Sequence, residues 1–265
     1  MHGFVDIHCH ALPGVDDGAT SVDMGLDMLR RAAEEGVDDV VLTPHFRADD
    51  GAQRSQQLQD CFAQFADAVD SAGIGVRVHL GAELGFRFGL AQLIGSSPAT
   101  RLAGGSYSLV DLPPGPLSPG LEQAFFEVRA AGYRPILAHP ERHRNLATDP
   151  DRIDRLRAQD LLMQVNAGSL RGRFGRRAQA AAIRLAESGK ADFIGSDGHD
   201  LDKRPPSLRS AYEQVVELAG PEEAQRLFVH NPRCVLTGTP VQEGQPTLSR
   251  ERPGMWARLR RRLGR

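Results

Sequence analysis

"DIHCHALPGVDDGA", Asp6 to Ala19, places two histidines two residues apart after a short apolar run, with two aspartates following a turn. Residues i and i+2 of a strand share a face. Asp6, His8 and His10 are therefore expected on one side, with Val5, Ile7 and Cys9 packed on the other. Two imidazoles on one face make half a metal site, since neutral imidazole is the commonest metal-binding side chain. An isolated pair also fits ordinary turn histidines, so the remainder of the chain has to decide.

Short β-rich runs recur along the chain, separated by segments of helical period. "DDVVLTPH", "GVRVHLGAE", "YSLVDLP", "RPILAHPE", "LLMQVNAGS" and "ADFIGSDGH" follow the opening strand and bring the count to seven. Thr20 and Ser21 offer caps to a first helix with Val22, Leu26, Leu29 and Ala33 on its apolar face and Gly36 at its stop. Leu58, Phe62, Phe65 and Val69 mark the next helix, closed by Gly73. Further helices fit Leu121–Ala131, Pro150–Ala158, Ala178–Ser188 and Ser207–Leu218, and Phe88–Ile94 is the weakest. Alternation of this kind over 265 residues predicts an α/β chain with parallel strands, a (β/α) barrel in one domain over residues 1–240. Residues 241–265 read as a basic tail.

The polar residues fall at the strand ends: His8 and His10, His45, Glu83, Asp111, His139, Asn166, then Asp197 and His199. In a (β/α) barrel those ends converge on one mouth, where active sites lie. Imidazole and carboxylate without a thiolate cluster suit Mn, Fe or Zn. With Asp17 added, His8, His10, His45, Glu83, Asp111, His139, Asp197 and His199 exceed what one ion can use, and two or three ions are expected. Closely spaced divalent ions point to hydrolysis, above all of phosphoesters. Arg142 in "HPERH" and Arg204 in "SDGHDLDKRPP" lie on mouth loops, where guanidinium forks match phosphate oxygens.

Composition narrows the classes further. A formal net charge of -2 gives no general attraction to nucleic acid. A hydrophobic content of 40% and a charged content of 25% are those of an ordinary globular chain. No apolar run approaches the roughly 18 residues of a membrane span, and the opening strand leaves no room for a secretory signal. A cytoplasmic protein is expected. Cys9, Cys61 and Cys234 are isolated and form no disulfide framework. A cysteine-based tyrosine phosphatase needs Arg six residues after its Cys; here those positions are Val15, Asp67 and Pro240. Neither a GxxxxGK[ST] loop nor a GxSxG elbow is present.

The motifs "DIHCHALPGVDDGA", "VVLTPHF", "GAE", "LAHPERH", "VNAGSLRGRFG" and "GSDGHD" resemble the polymerase and histidinol phosphatase (PHP) superfamily. More narrowly, the chain is similar to the manganese-dependent bacterial tyrosine phosphatases of capsule and exopolysaccharide loci, the CpsB type. The resemblance runs from about Met1 to Gly238. It implies a distorted seven-stranded barrel with three Mn²⁺ held by His8, His10, Asp17, His45, Glu83, His139, Asp197 and His199, with Glu83 bridging. Arg142 and Arg204 match the phosphate-binding arginines, and His199 or water would supply a proton. Asp111 departs from the pattern, where a Glu is typical; its shorter side chain suggests a weak or water-mediated ligand. The implied substrate is phosphotyrosine on a membrane-associated kinase of polysaccharide export. The tail, with Trp256, Leu259 and Leu263 on one helical face, reads first as solvated chain and second as a peripheral membrane contact. Rival readings are another phosphoesterase of the superfamily, such as a histidinol-phosphate phosphatase, and a non-catalytic metal-bound regulator.

Overall fold

The computed structural model describes residues 3–246, so the expectation for Trp256, Leu259 and Leu263 lies outside the described residues. Among the described residues there are nine strands: β1 Phe4–Cys9, β2 Val37–Leu42, β3 His45–Phe46, β4 Arg77–Leu80, β5 Glu83–Gly85, β6 Tyr107–Asp111, β7 Arg134–Ala138, β8 Leu162–Asn166 and β9 Phe193–Gly195. They are the seven expected runs, two of them broken. "DDVVLTPH" divides at Thr43-Pro44 into β2 and β3, because Pro44 has no N–H for a ladder. "GVRVHLGAE" divides at Gly81-Ala82 into β4 and β5.

All pairing is parallel, in two sheets ordered β1-β2-β4 and β3-β5-β6-β7-β8-β9. The broken strands carry the path from one sheet to the other. The path returns to β1 through a parallel Cys9–Gly198 bridge, with Asp197 N–H donating to His8 O and His10 N–H to Gly198 O, both 2.8 Å. The result is a distorted parallel ring. Its inner cluster holds Val5, Ile7, Val41, Tyr107, Leu109, Ile136, Ala138 and Phe193. Alternate residues such as Val40, Leu42, Val110, Leu137, Val165 and Ile194 join the larger cluster between strands and helices, as a sheet covered on its outer face requires.

Two local expectations need correction. Strict alternation fails in β1: its register with β2 slips between Asp6 and Cys9, and Cys9 packs with the outer cluster while Val5 and Ile7 stay inside. The slip lies beside the Asp6 carboxylate, which accepts the N–H groups of His8 (3.2 Å) and Ser196 (3.0 Å). Asp6 is thereby a brace for the backbone, and His8 turns inward. The first helix, Val22–Glu35, has the expected Ser21 cap and Gly36 stop (φ 95°), but buries Gly25, Met28, Leu29 and Ala32 and leaves Val22 exposed. Its face is set by close approach at Gly25, where a Cβ would lie 2.6 Å from Ala11 O.

The later helices fall where expected, at Leu121–Ala130, Pro150–Arg157, Gly175–Glu187 and Arg209–Ala219. The weakest is a helix at Leu90–Ser96. Residues 241–245 run back against the start of the barrel. Gln242 exchanges bonds with Asn231 (2.8 and 3.0 Å), and Gly244 lies so near Gly189 that a Cβ would sit 2.2 Å from its carbonyl oxygen.

Candidate metal centre

His8 and His10 leave β1 at the C-terminal mouth, and both are fully buried. Their partners fix which ring nitrogen carries a proton. Gln164 donates its amide to Asn166 Oδ1 (2.9 Å), so its Oε1 accepts from His8 Nδ1 (2.8 Å). Asp16 accepts from His10 Nδ1 (2.7 Å). Each ring then turns a basic Nε2 toward the other, 3.2 Å apart. Two lone pairs at that distance repel unless a proton or a metal ion lies between them, and His10, with its raised pKa, supplies the proton when no metal is bound. Gly195 permits the arrangement, since a Cβ there would stand 3.0 Å from His8 Cβ.

Glu83 is buried at the centre of the histidines. Its Oε1 lies 2.8 Å from His139 Nε2 and 3.5 Å from His8 Nε2; its Oε2 lies 2.9 Å from His45 Nδ1 and 3.4 Å from His10 Nε2. Burial would raise its pKa, but the surrounding imidazoles hold it well below the carboxylate range. Asp197 faces the same rings from the other side. Its Oδ2 accepts from Asn166 (2.6 Å), Arg142 (2.7 Å) and Arg204. Its Oδ1 is buried without a hydrogen bond among the described residues, 3.4 Å from His8 Nε2 and 3.5 Å from His10 Nε2. Burial opposes its charge, but His8 and His139 keep its pKa low.

His139 and Asp197, each just beyond a strand end, have φ of 32° and 51°. Non-glycine residues in that region are strained and concentrate at functional sites. His199 donates Nδ1–H to Asp197 O (3.1 Å), which leaves Nε2 as a lone pair, buried without a hydrogen bond and 3.5 Å from Asp17 Oδ1. Burial and the neighbouring His10 lower its pKa to about 4, so it is neutral near pH 7. Burial also acts on His10 and His139, but Asp16 and Glu83 outweigh it at His10 and Glu83 at His139, raising them to about 10 and about 9.

Among the described residues three groups bring donor atoms within 4.8 Å of one another: His10, Asp17, His45 and His199; His8, His10 and Asp197; His8, Glu83 and His139. Eight of the nine expected ligands are thus brought together. Asp111 is beside them but in none of the groups; its Oδ1 lies 3.7 Å from His139 Nδ1, beyond hydrogen-bond range. Arg142 and Arg204 meet at Asp197, with the Phe174 ring 4.3 Å and 6.0 Å from their guanidinium carbons.

Three positioning groups escaped the sequence reading. Asp16 orients His10, accepts from His45 N–H (3.0 Å) and from Gly18 N–H (2.9 Å), and has a pKa near 2: burial raises it, but His10 outweighs that. Gln164 orients His8. Glu141 is buried and accepts from Asn166 N–H (3.0 Å) and Ser169 (2.6 Å), steadying the β8 end. Gln164 and Asn166, two apart on a strand covered on both faces, were a visible signal.

Fold and site together define a parallel α/β barrel with a histidine–carboxylate cluster, of the kind that holds divalent metals, at its C-terminal mouth. The family profile for capsular polysaccharide synthesis, CpsB/CapC, matches residues 4–237, and the chain belongs to that family. Tyrosine-protein phosphatase YwqE of Bacillus subtilis is 27% identical over 93% of this chain and 98% of its own length. Tyrosine-protein phosphatase CpsB of Streptococcus pneumoniae is 24% identical over 88% and 98%. A solved structure from the work on YwqE and CpsB, described there as unique metal-dependent tyrosine phosphatases, matches with a TM-score of 0.84 at 27% identity, covering 91% of this chain and 98% of its own. The Escherichia coli phosphotriesterase homology protein, solved with phosphate in its active site, shares the fold alone, with a TM-score of 0.53 at 13% identity over 87% and 97%.

Proposed function

We propose that this chain is a metal-dependent protein-tyrosine phosphatase whose ions are held by His8, His10, Asp17, His45, Glu83, His139, Asp197 and His199, with Asp111 at the margin. The observation that carries the reading is the pair of facing Nε2 atoms of His8 and His10, flanked by Glu83 and the unbonded Oδ1 of Asp197. That donor set suits divalent Mn, Fe or Zn, and Mn²⁺ is the ion proposed. When bound, such ions lower the pKa of water and offset phosphoryl charge.

The chain's own residues do the rest. Arg142 and Arg204 hold the phosphoryl oxygens through donors not used on Asp197; Arg204 Nε is buried without a partner among the described residues. Phe174 keeps both guanidinium planes in place. Neutral His199 offers its lone pair to an ion more readily than a proton to the leaving group. Tyrosinate needs little assistance, its phenol having a pKa of about 10.

The relatives and the family support phosphotyrosine on a protein of capsular polysaccharide synthesis as the substrate; the finer proposal is a membrane-associated kinase of polysaccharide export, met in the cytoplasm. No helix among the described residues is long and apolar enough to cross a membrane. Elemental analysis combined with turnover of phosphotyrosyl peptide and histidinol phosphate tests the proposal. Chelator-sensitive hydrolysis of the peptide, restored by Mn²⁺, is expected. Preference for histidinol phosphate would move the chain to the broader phosphoesterases, and the absence of any turnover by the metal-loaded protein would make it a regulator.

A further inference from the structure

Resting on the phosphatase reading, a second feature of the mouth bears on which phosphate esters fit. Glu83 and Gly85 lie two apart on β5 and face the same side. Gly85 pairs with Asp111 of β6, while Glu83 pairs with His45 of β3. The missing side chain at position 85 leaves a depression of about 310 Å³ that opens beside Glu83, His45 and Asp111. Its remaining wall is largely apolar, formed by Phe46, Ala48, Phe86 and Pro113, with Arg47, which it shares with the neighbouring depression, as the one further charged residue. Phe86 is held by ring contacts to Phe88 (6.0 Å) and Phe125 (5.9 Å) and by its N–H bond to Asp111 O (2.8 Å).

We propose that this slot receives the aromatic ring of the substrate, making it the element that selects aryl over alkyl phosphate esters. The site has two ends. Arg142 and Arg204 gather at the Asp197 end, where the phosphoryl group is held, and the slot opens at the Glu83 end. A larger depression of about 1010 Å³ also adjoins His45, but Asp16, Asp17, Asp49, Asp50, Arg47 and Arg54 line it. A phenyl ring gains little by covering charged groups that must then lose water, whereas apolar walls reward its burial. His45 and Asp111 are the two slot-lining members of the cluster with substantial exposure, 36% and 38% of their side chains. An ester oxygen leaving toward the slot therefore leaves along the open side.

Calorimetry on the Mn²⁺-loaded protein with phenylphosphonate and inorganic phosphate tests the slot independently of turnover. Gly85→Val fills it from β5, where a Cβ would already lie 3.2 Å from Ala48 N. Ala48→Gln fills it from an exposed position and keeps the test open should the first variant fail to fold. Each is expected to weaken phenylphosphonate about fivefold or more while inorganic phosphate stays within about twofold, since only the ring loses apolar burial. In the same variants the KM for phenyl phosphate should rise with kcat little changed. Unaltered phenylphosphonate affinity in a folded, metal-loaded variant, or equal weakening of both ligands, would overturn the slot. Failure of the wild-type turnover assay above would overturn the phosphatase reading while this binding comparison still decided the slot.

Discussion

Asp192 and Asp197 stand at the two ends of β9, both about 1% exposed and both beside arginines, yet they serve different ends. Asp192 accepts from Arg157 and from Met163 N–H (2.8 Å), with Arg226 4.0 Å away, and burial raises its pKa. Asp197 spends one oxygen on Asn166, Arg142 and Arg204 and turns the other, unbonded, toward two imidazoles. Burial opposes its charge too, but the histidines prevail and its pKa is low. It alone of the two has φ in the left-handed region. A buried aspartate next to arginine is thus no mark of function. The mark is an acceptor held in place on one side and left unused on the other.

The sharpest way to break this contrast is to remove each carboxylate. Asp197→Ala should lower phosphotyrosyl-peptide turnover by orders of magnitude and reduce bound metal while the fold persists. Asp192→Ala should leave kcat of the folded enzyme unchanged but cost about 1–3 kcal/mol of stability, since the buried Met163 N–H and the half-buried Arg157 lose their acceptor. Turnover and thermal denaturation of both variants would show it. Active Asp197→Ala enzyme would erase the distinction.

Next in size are the arginines of the mouth. Arg142→Ala and Arg204→Ala should each weaken inhibition by inorganic phosphate and lower kcat/KM by about 1.5–3 kcal/mol, with metal content intact. Phosphate inhibition identical to wild type in both would make them partners of Asp197 only, as Arg157 is of Asp192.

A pH experiment separates protons from metal at the mouth. His10 and His139 hold protons up to about 10 and about 9 without metal, against about 6.5 for an unperturbed imidazole. Their raised values stabilise the metal-free fold fully below about 6.5, and that contribution is lost as pH rises through 9 and 10. Metal must displace the same protons, so its affinity should move the opposite way, rising by up to about tenfold per pH unit for each proton displaced. Chelated protein should lose thermal stability between pH 7 and 10 while metal-loaded protein holds it. Parallel curves would show that the histidines carry no exchangeable cation. The smallest effect is expected of Phe174→Leu, about 0.5–1 kcal/mol in phosphate affinity from the lost ring face, measured by the same inhibition assay.

Most of the barrel was legible because period-2 runs and helical repeats alternate, and because ligand-type side chains sit at the ends of the runs. His8, His10, His45, Glu83, His139, Asp197 and His199 could be read in this way, from five strands, with His8 and His10 sharing β1 and Asp197 and His199 sharing the end of β9. What depended on backbone detail was not. The β1 slip, the breaks at Thr43-Pro44 and Gly81-Ala82, and the first helix turned to bury Gly25 all arise from contacts between distant segments. Asp16 and Asp17 illustrate the limit. Adjacent and chemically identical, they point apart: Asp16 inward to the Nδ1 of His10, Asp17 outward to His45 and His199. Spacing cannot tell which aspartate of the turn orients a histidine and which faces the cluster.

The return of residues 241–245 onto the loop at Gly189 brings the last described residues round to one particular face of the barrel. Gly189 precedes β9 and so lies on the face of the barrel opposite the mouth. A tether or label attached on residues 241–245 themselves would hold the barrel from behind. On an immobilising surface, a chain fastened there would present its mouth outward to solution, as a lamp on a bracket shines away from the wall.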